Sequence, residues 1–319
     1  MKSELGWKIG HFLTTRIKPV FDCHNLKVLK MTSLVYANLF HIVLWKAGVR
    51  RPFIVDIMGE KCEISTEEDF LTVSHRMRLS STGFDYQVCS GSNKIGFSYN
   101  DRIVVLNFEH MAIFDLLSLV EKFAGIDDKY NSVKVKDRDV VDIGSNIGDT
   151  AILYALQGAR RIISLEPNPA FYKLALENVK SNGLENVILI NGAAGKSSFA
   201  TVDEVATKRI GLPFIKVNDG VKIRIRNIDE IVDEFDLKDA ILKVVCVGCE
   251  RDLFQFSSDA CIRRFSQILI VCICDDGYLR NRLKSLGYRA TVLSKDFVIN
   301  PFMNPGNLKV VSIVATRQS

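Results

Sequence analysis

The 319 residues contain no internal repeat and no low-complexity segment, which excludes a solenoid and a largely disordered chain. An uninterrupted run of roughly 20 apolar residues is also missing, so a spanning helix is not expected. The nearest stretch, 31–49 (MTSLVYANLFHIVLWKAGV), is broken by Asn38, His41 and Lys46. It reads as an amphipathic or buried helix, with interfacial membrane contact as the alternative. The N-terminus lacks a compact apolar core followed by a small-residue cleavage site, so no secretory signal is read and a reducing cytoplasmic setting is expected. His11, His24, His41, His75 and His110 have no metal-ligand spacing with one another, and no metal is expected.

What is present is globular in character. Hydrophobic residues make up 47% and charged residues 25%, enough for a sizeable core. The net charge of +5 is unevenly placed. Residues 1–50 hold eight Lys and Arg against two acids, so the remainder is near neutral. The basic segment reads as a solvated helix face, or as a weak contact for a membrane surface or an anionic partner. With near-neutral charge beyond residue 50, no zinc knuckle and no aromatic-rich basic strand, a nucleic-acid partner is not expected. Arg224 and Arg226 alternate in VKIRIRN, the pattern of a solvated strand face or of one that meets an anion.

The eight cysteines invite a metal reading at one place, where Cys246-x-x-Cys249 precedes Cys272-x-Cys274. Four thiolates suffice for a tetrahedral zinc site. Cys246 and Cys272 lie in strand-like apolar runs, however, and alternate strand side chains point to opposite faces. Buried packing as small hydrophobes is the expectation, with a zinc site or a redox pair as the alternative.

A polar, turn-rich stretch near 125–135 divides the chain into an α+β region, 1–130, and a second domain, 131–319. In the first, 5–48 reads as mainly helical, 53–64 as a hairpin around Gly59, 91–108 as a strand pair and 111–123 as a helix. In the second, strands 139–143, 161–166, 186–191, 240–247 and 267–273 alternate with helices 147–157, 169–182, 227–236, 250–257 and 277–286. Short apolar runs between helices predict parallel strands buried on both faces. Segments 288–293 and 308–316 read as two closing strands. The order predicts an α/β Rossmann-like domain, and the antiparallel C-terminal strand that closes a mostly parallel sheet is compatible with a seven-stranded class I methyltransferase sheet, an expectation preferred to a simple dinucleotide dehydrogenase.

The turn DVVDIGSNIGDTA (139–151) carries the chemistry. Ligands of an open α/β sheet bind beyond the carboxyl ends of the strands. Gly144 allows a tight turn after Asp142, and Gly148 lets helix and strand approach. The second strand ends at Glu166, 22 residues after Gly144, where a carboxylate accepts ribose hydroxyls. The middle glycine that admits a pyrophosphate is missing from Gly144-Ser145-Asn146-Ile147-Gly148, which disfavours a dinucleotide. S-adenosylmethionine has no pyrophosphate, and its amino-acid end suits Asp142, Ser145 and Asn146. Asn191, with Gly192 and Ala193, ends the third strand where an adenine edge would lie.

The order of three stretches resembles the FkbM family of S-adenosylmethionine-dependent methyltransferases. They are VVDIGSNIGDTAI, then IISLEPNPAFYKLALENVKSNGLENVILINGAAG, then LKDAILKVVCVGCERDLF, across roughly 130–290. Leu165-Glu166-Pro167-Asn168-Pro169 and Asn178-x-x-x-Asn182-Gly183-Leu184 are its most specific elements. The resemblance implies a class I fold, S-adenosylmethionine as cofactor, Asn168 beside Glu166 in its site, and O-methylation of a sugar, glycan precursor or other small molecule.

One departure bears on activity. After the fourth strand the family reads L-K-x-D-x-E-G-x-E, whereas here Val245 and Val247 stand in place of the first two acids. A carboxylate at this strand end orients a hydroxyl or accepts its proton, and valine does neither. Glu250 persists. At the fifth strand, Asp275 and Asp276 stand near where related sequences carry Glu and His. Two readings follow: an active enzyme using Glu250, Asp275 or His110, or a decayed chain that binds without turnover. An RNA methyltransferase is a weaker third, since an N-P-P-[YF]-like tetrapeptide is absent.

Overall fold

The computed structural model describes residues 52–57, 60–89, 93–108, 113–202, 220–246, 248–272, 276–298 and 308–318. The 5–48 and 31–49 segments, the basic stretch 1–50, His110, Val247, Cys274 and Asp275 lie outside them. Two compact units form. The described residues of the smaller fall within 52–85 and 113–126; those of the larger fall within 86–108 and 127–318.

The smaller unit holds an antiparallel hairpin, β1 (Phe53–Ile57) and β2 (Glu60–Ile64), and two helices, α1 (Glu67–Ser81) and α2 (Ile113–Val120). A reciprocal capping box starts α1: the Thr66 hydroxyl accepts from the Asp69 N–H, and the Asp69 carboxylate accepts from Thr66 N–H. His75 and Arg78 of α1 both contact the Glu121 carboxylate, at 2.7 and 3.0 Å.

The larger unit contains a three-stranded antiparallel sheet, β3 (Tyr86–Cys89), β4 (Lys94–Tyr99) and β5 (Arg102–Asn107). Residues 86–108 therefore belong with the second domain rather than with the region ending at 130. The physical reason is polar: the edge of β5 turned away from β4 is hydrogen-bonded by Asn178 and Asn182 of a helix in the main domain.

That domain is built on β6 (Asp139–Ile143), α3 (Asp149–Leu156), β7 (Arg161–Glu166), α4 (Pro169–Ser181), β8 (Val187–Ala194), β9 (Ser198–Val202), β10 (Val221–Arg226), α5 (Ile228–Glu234), β11 (Ala240–Val244), α6 (Glu250–Phe256), α7 (Asp259–Ile262), β12 (Phe265–Cys272), α8 (Asp276–Ser285), β13 (Tyr288–Val298) and β14 (Leu308–Arg317). The sheet order is β13-β14-β12-β11-β6-β7-β8-β10-β9. The first seven form a class I methyltransferase sheet, with β14 antiparallel to both its neighbours. All five residues of β6 and of β11 are buried, as expected of parallel strands covered on both faces.

Among the described residues the sheet has nine strands rather than seven. After β8, Gly195 turns the chain; β9 then pairs antiparallel with β10, and β10 lies parallel to β8. Period-two alternation stabilises this extension, because Ala200, Val202 and Ile223 share one face and make a small separate core. The alternation in VKIRIR is legible in sequence, but SFATV is short and weakly patterned.

The main core gathers Ile143, Leu165, Leu242, Phe254, Ile270 and Ile313 from strands and helices on both sides. Cys261 and Cys272 are buried in it as small hydrophobes. Cys246 and Cys249 pack against it as well and are joined by a disulfide, the pairing that the sequence holds as an alternative to packing. β6 lies between β7 and β11, so the strand order reverses there. That reversal opens a crevice at the carboxyl ends of the strands.

Candidate cofactor site

The turn after β6 is fixed from below, behind and beside. Gly144 has φ +79°, and a Cβ there would lie 2.0 Å from the Val245 carbonyl oxygen. Only glycine allows the loop after β11 to approach so closely. The Gly144 and Ser145 N–H groups both donate to the Leu165 carbonyl at 3.0 Å, and Gly148 N–H closes the turn on Ser145 O at 2.8 Å. Asn146 sits in the left-handed region at φ 51°, a conformation asparagine tolerates better than most residues. Its N–H donates to Glu166 Oε2 at 2.8 Å.

Asp142 lies beneath the turn, not at its surface. It is fully buried, with Oδ1 2.7 Å from Lys243 Nζ and Oδ2 accepting from the Ser164 hydroxyl at 2.7 Å. The same ammonium donates to the carbonyls of Gly144 at 2.6 Å and Ile143 at 3.3 Å. Lys243 therefore neutralises Asp142 and pins the backbone of the turn. Sequence reading overlooked this role, although a lone lysine inside the buried run AILKVV requires a partner.

Glu166 is 7% exposed. Burial pushes its carboxyl up to about 7, against the lowering pull of the Asn168 and Asn146 N–H donors. Each oxygen accepts one backbone N–H; an ionised carboxylate offers about four lone-pair sites, so acceptor capacity remains for two hydroxyls. The Asn168 side chain is engaged otherwise, capping α4 by accepting from the Ala170 and Phe171 N–H groups. Asn191 Nδ2 donates to the carbonyls of Glu166 and Pro167. It thus ties the ends of β7 and β8 together. Ala193 and Gly192 follow on β8, and a Cβ on Gly192 would meet Arg224 O at 2.9 Å.

Among the described residues, several polar atoms here lack a hydrogen-bond partner. The Ser145 hydroxyl, both polar atoms of the Asn146 amide and Glu250 Oε1 are buried without a hydrogen bond. Such groups are costly unless a ligand or water completes them. Glu250 begins α6 and is fully buried; its Oε2 accepts from Gly248 N–H at 2.8 Å, and burial raises its pKa. Asp276 begins α8 and lies 3.2 Å from Arg280, an ion pair within the helix. Val245 continues the β11 ladder by donating to Ile143 O at 3.0 Å.

The residues present fit S-adenosylmethionine. Glu166 offers a dry carboxylate for two ribose hydroxyls, while Ser145 and Asn146 offer unsatisfied donors and acceptors for an amino-acid end.

Sheet order, reversal point and glycine turn together define the class I methyltransferase fold. No family model matches the chain. A Methanocaldococcus jannaschii protein whose name places it provisionally among protein N5-glutamine methyltransferases is 43% identical over 54 residues, 17% of this chain and 27% of that protein. The match thus spans well under half of that relative. Among solved structures, TrmK of M. capricolum in complex with S-adenosylhomocysteine is 12% identical, covers 60% of this chain and 67% of its own, and has a TM-score of 0.39. TYW2 of M. jannaschii in complex with AdoMet is 13% identical, covers 72% and 90%, and has a TM-score of 0.38. Among the described residues, no helix is long and apolar enough to cross a membrane.

Proposed function

We propose that the chain is an S-adenosylmethionine-dependent methyltransferase. The observation that carries this reading is the cluster of buried, unpartnered polar atoms of Ser145 and Asn146 beside the Glu166 carboxylate. The cofactor supplies a methyl group on a sulfonium, which an acceptor takes by in-line displacement. The protein then has two tasks: to hold that methyl in line and to receive the acceptor's proton. Glu250 is the residue for the second, with one oxygen anchored on Gly248 N–H and the other unpartnered.

The acceptor in this proposal is a hydroxyl of a sugar, glycan precursor or other small molecule. Its support is the FkbM resemblance of the turn, the Leu165–Pro169 element and the asparagine pair. The alternative, a chain that binds the cofactor without turnover, is favoured by Val245 at the end of β11. Titration calorimetry with S-adenosylmethionine and S-adenosylhomocysteine tests the cofactor. Binding of both supports the reading, and a folded sample that binds neither overturns it. Val245→Asp then separates the two: a gain of methyl transfer from a silent wild type identifies decay, whereas a wild type that already methylates a hydroxyl panel does not need the acid.

A further inference from the structure

Asn178 and Asn182 stand one turn apart on α4 and near its end, and the site described above uses neither. Both face β5. Asn182 accepts from the Val105 N–H at 3.0 Å and donates back to the Val105 carbonyl at 2.7 Å. Asn178 does the same one step along the strand, accepting from Asn107 N–H at 2.6 Å and donating to Asn107 O at 3.1 Å. In an antiparallel pair, alternate residues direct their backbone groups away from the partner. Val105 and Asn107 are such residues in β5, as Phe108 bonds back towards β4 through Asn93. Two amide side chains thus replace a neighbouring strand, and the three-stranded sheet is hydrogen-bonded to a helix.

The two asparagines differ in one respect. Asn182 sends its amide hydrogens to Val105 O and to Asn178 O, the latter within α4. Asn178 sends its second hydrogen to the Ile147 carbonyl at 2.9 Å, inside the glycine turn. Asn178 is fully buried, and both its amide hydrogens are used. Ile147 lies between Asn146, whose amide is unpartnered, and Gly148, where a Cβ would meet Ala175 of α4 at 3.3 Å. One side chain therefore holds β5 and the turn at once.

We propose that Asn178 is a positioning residue that couples docking of the β3–β5 sheet to the geometry of the cofactor turn. This gives 86–108 a part in the site without placing it in contact with ligand. The cofactor aspect rests on the function proposed above; the mechanical aspect does not. A buried amide is suited to the task, because its planar donor and acceptor fix the distance between the two backbones it joins, and leaving either backbone unpaired is costly.

Hydrogen exchange on the full chain tests it, comparing Asn178→Ala with Asn182→Ala. Both variants should speed exchange along β5. Only Asn178→Ala should also speed the amides of Asn146 and Gly148. Affinity for S-adenosylmethionine should fall about five- to tenfold in Asn178→Ala, the range for one lost hydrogen bond, and less than about twofold in Asn182→Ala. Identical exchange patterns in the two variants would overturn the coupling. If the wild type binds no S-adenosylmethionine, the cofactor reading fails, while the exchange comparison still decides the coupling. Should Asn178→Ala fail to fold, the isosteric Asn178→Asp keeps the acceptor for Asn107 N–H and loses both donors. It should then loosen the turn, and an unchanged turn in that variant would equally reject the idea.

Discussion

Lys243 and Asp142 form an ion pair of 2.7 Å beneath the cofactor turn, with side chains 1% and 0% exposed. Neither charge reaches solvent, and the ammonium also donates to the Gly144 and Ile143 carbonyls. The pair joins β11 to β6 at the point where the strand order reverses, so the crevice is built on it.

Removing one partner strands the other. Lys243→Met leaves a buried carboxylate and should cost about 3–5 kcal/mol of stability. Asp142→Asn with Lys243→Met together should cost clearly less than the sum of the single changes. Denaturant unfolding of the four proteins measures the coupling. Additive effects would show that the pair contributes no mutual stabilisation.

Glycine at 144 is required by contact as well as by φ. Gly148→Ala should cost about 1–2 kcal/mol from its left-handed backbone, with a tight but lesser contact of its Cβ at 3.3 Å from Ala175. Gly144→Ala adds the 2.0 Å clash with Val245 O and should lose substantially more, together with cofactor binding. Thermal melts and calorimetry on both variants rank them, and equal losses would remove the special role of Val245 O.

Glu166 should link binding to protons. Its pKa rises from the ordinary 4.5 to about 7 in the folded chain, so between those values the folded state holds a proton that the unfolded state has released. Its contribution to stability is complete below pH 4.5 and is lost as pH rises through 7. Ribose hydroxyls favour the ionised carboxylate, so affinity should climb through the same window as a proton leaves on binding. Calorimetry in buffers of different ionisation enthalpy detects that release. Glu166→Gln should flatten the profile, and Glu166→Ala should weaken binding roughly 10- to 100-fold.

Glu250→Gln separates binding from chemistry. The amide oxygen still accepts from Gly248 N–H, so fold and cofactor affinity should hold. Turnover should fall by about 10²–10⁴-fold, the usual contribution of a general base. Retained turnover would move the base elsewhere.

The alternation of short apolar runs with helices gave β6 and β7 to the residue and β11 and β12 to within about three residues at their ends, because buried parallel strands carry their burial in composition. The glycine turn and Glu166 were legible for a related reason: φ above zero and a carboxylate at a strand end are demands on single residues. Tertiary structure decided the rest. Asp142 reads as a ligand-facing acid until Lys243, about a hundred residues away, is seen to claim it. The asparagines of α4 read as motif letters, and only the approach of β5 shows what they bond. Residues 86–108 join the larger unit for the same reason. These features depend on pairs far apart in the chain, and local pattern carries no record of which distant backbone a buried polar side chain will meet.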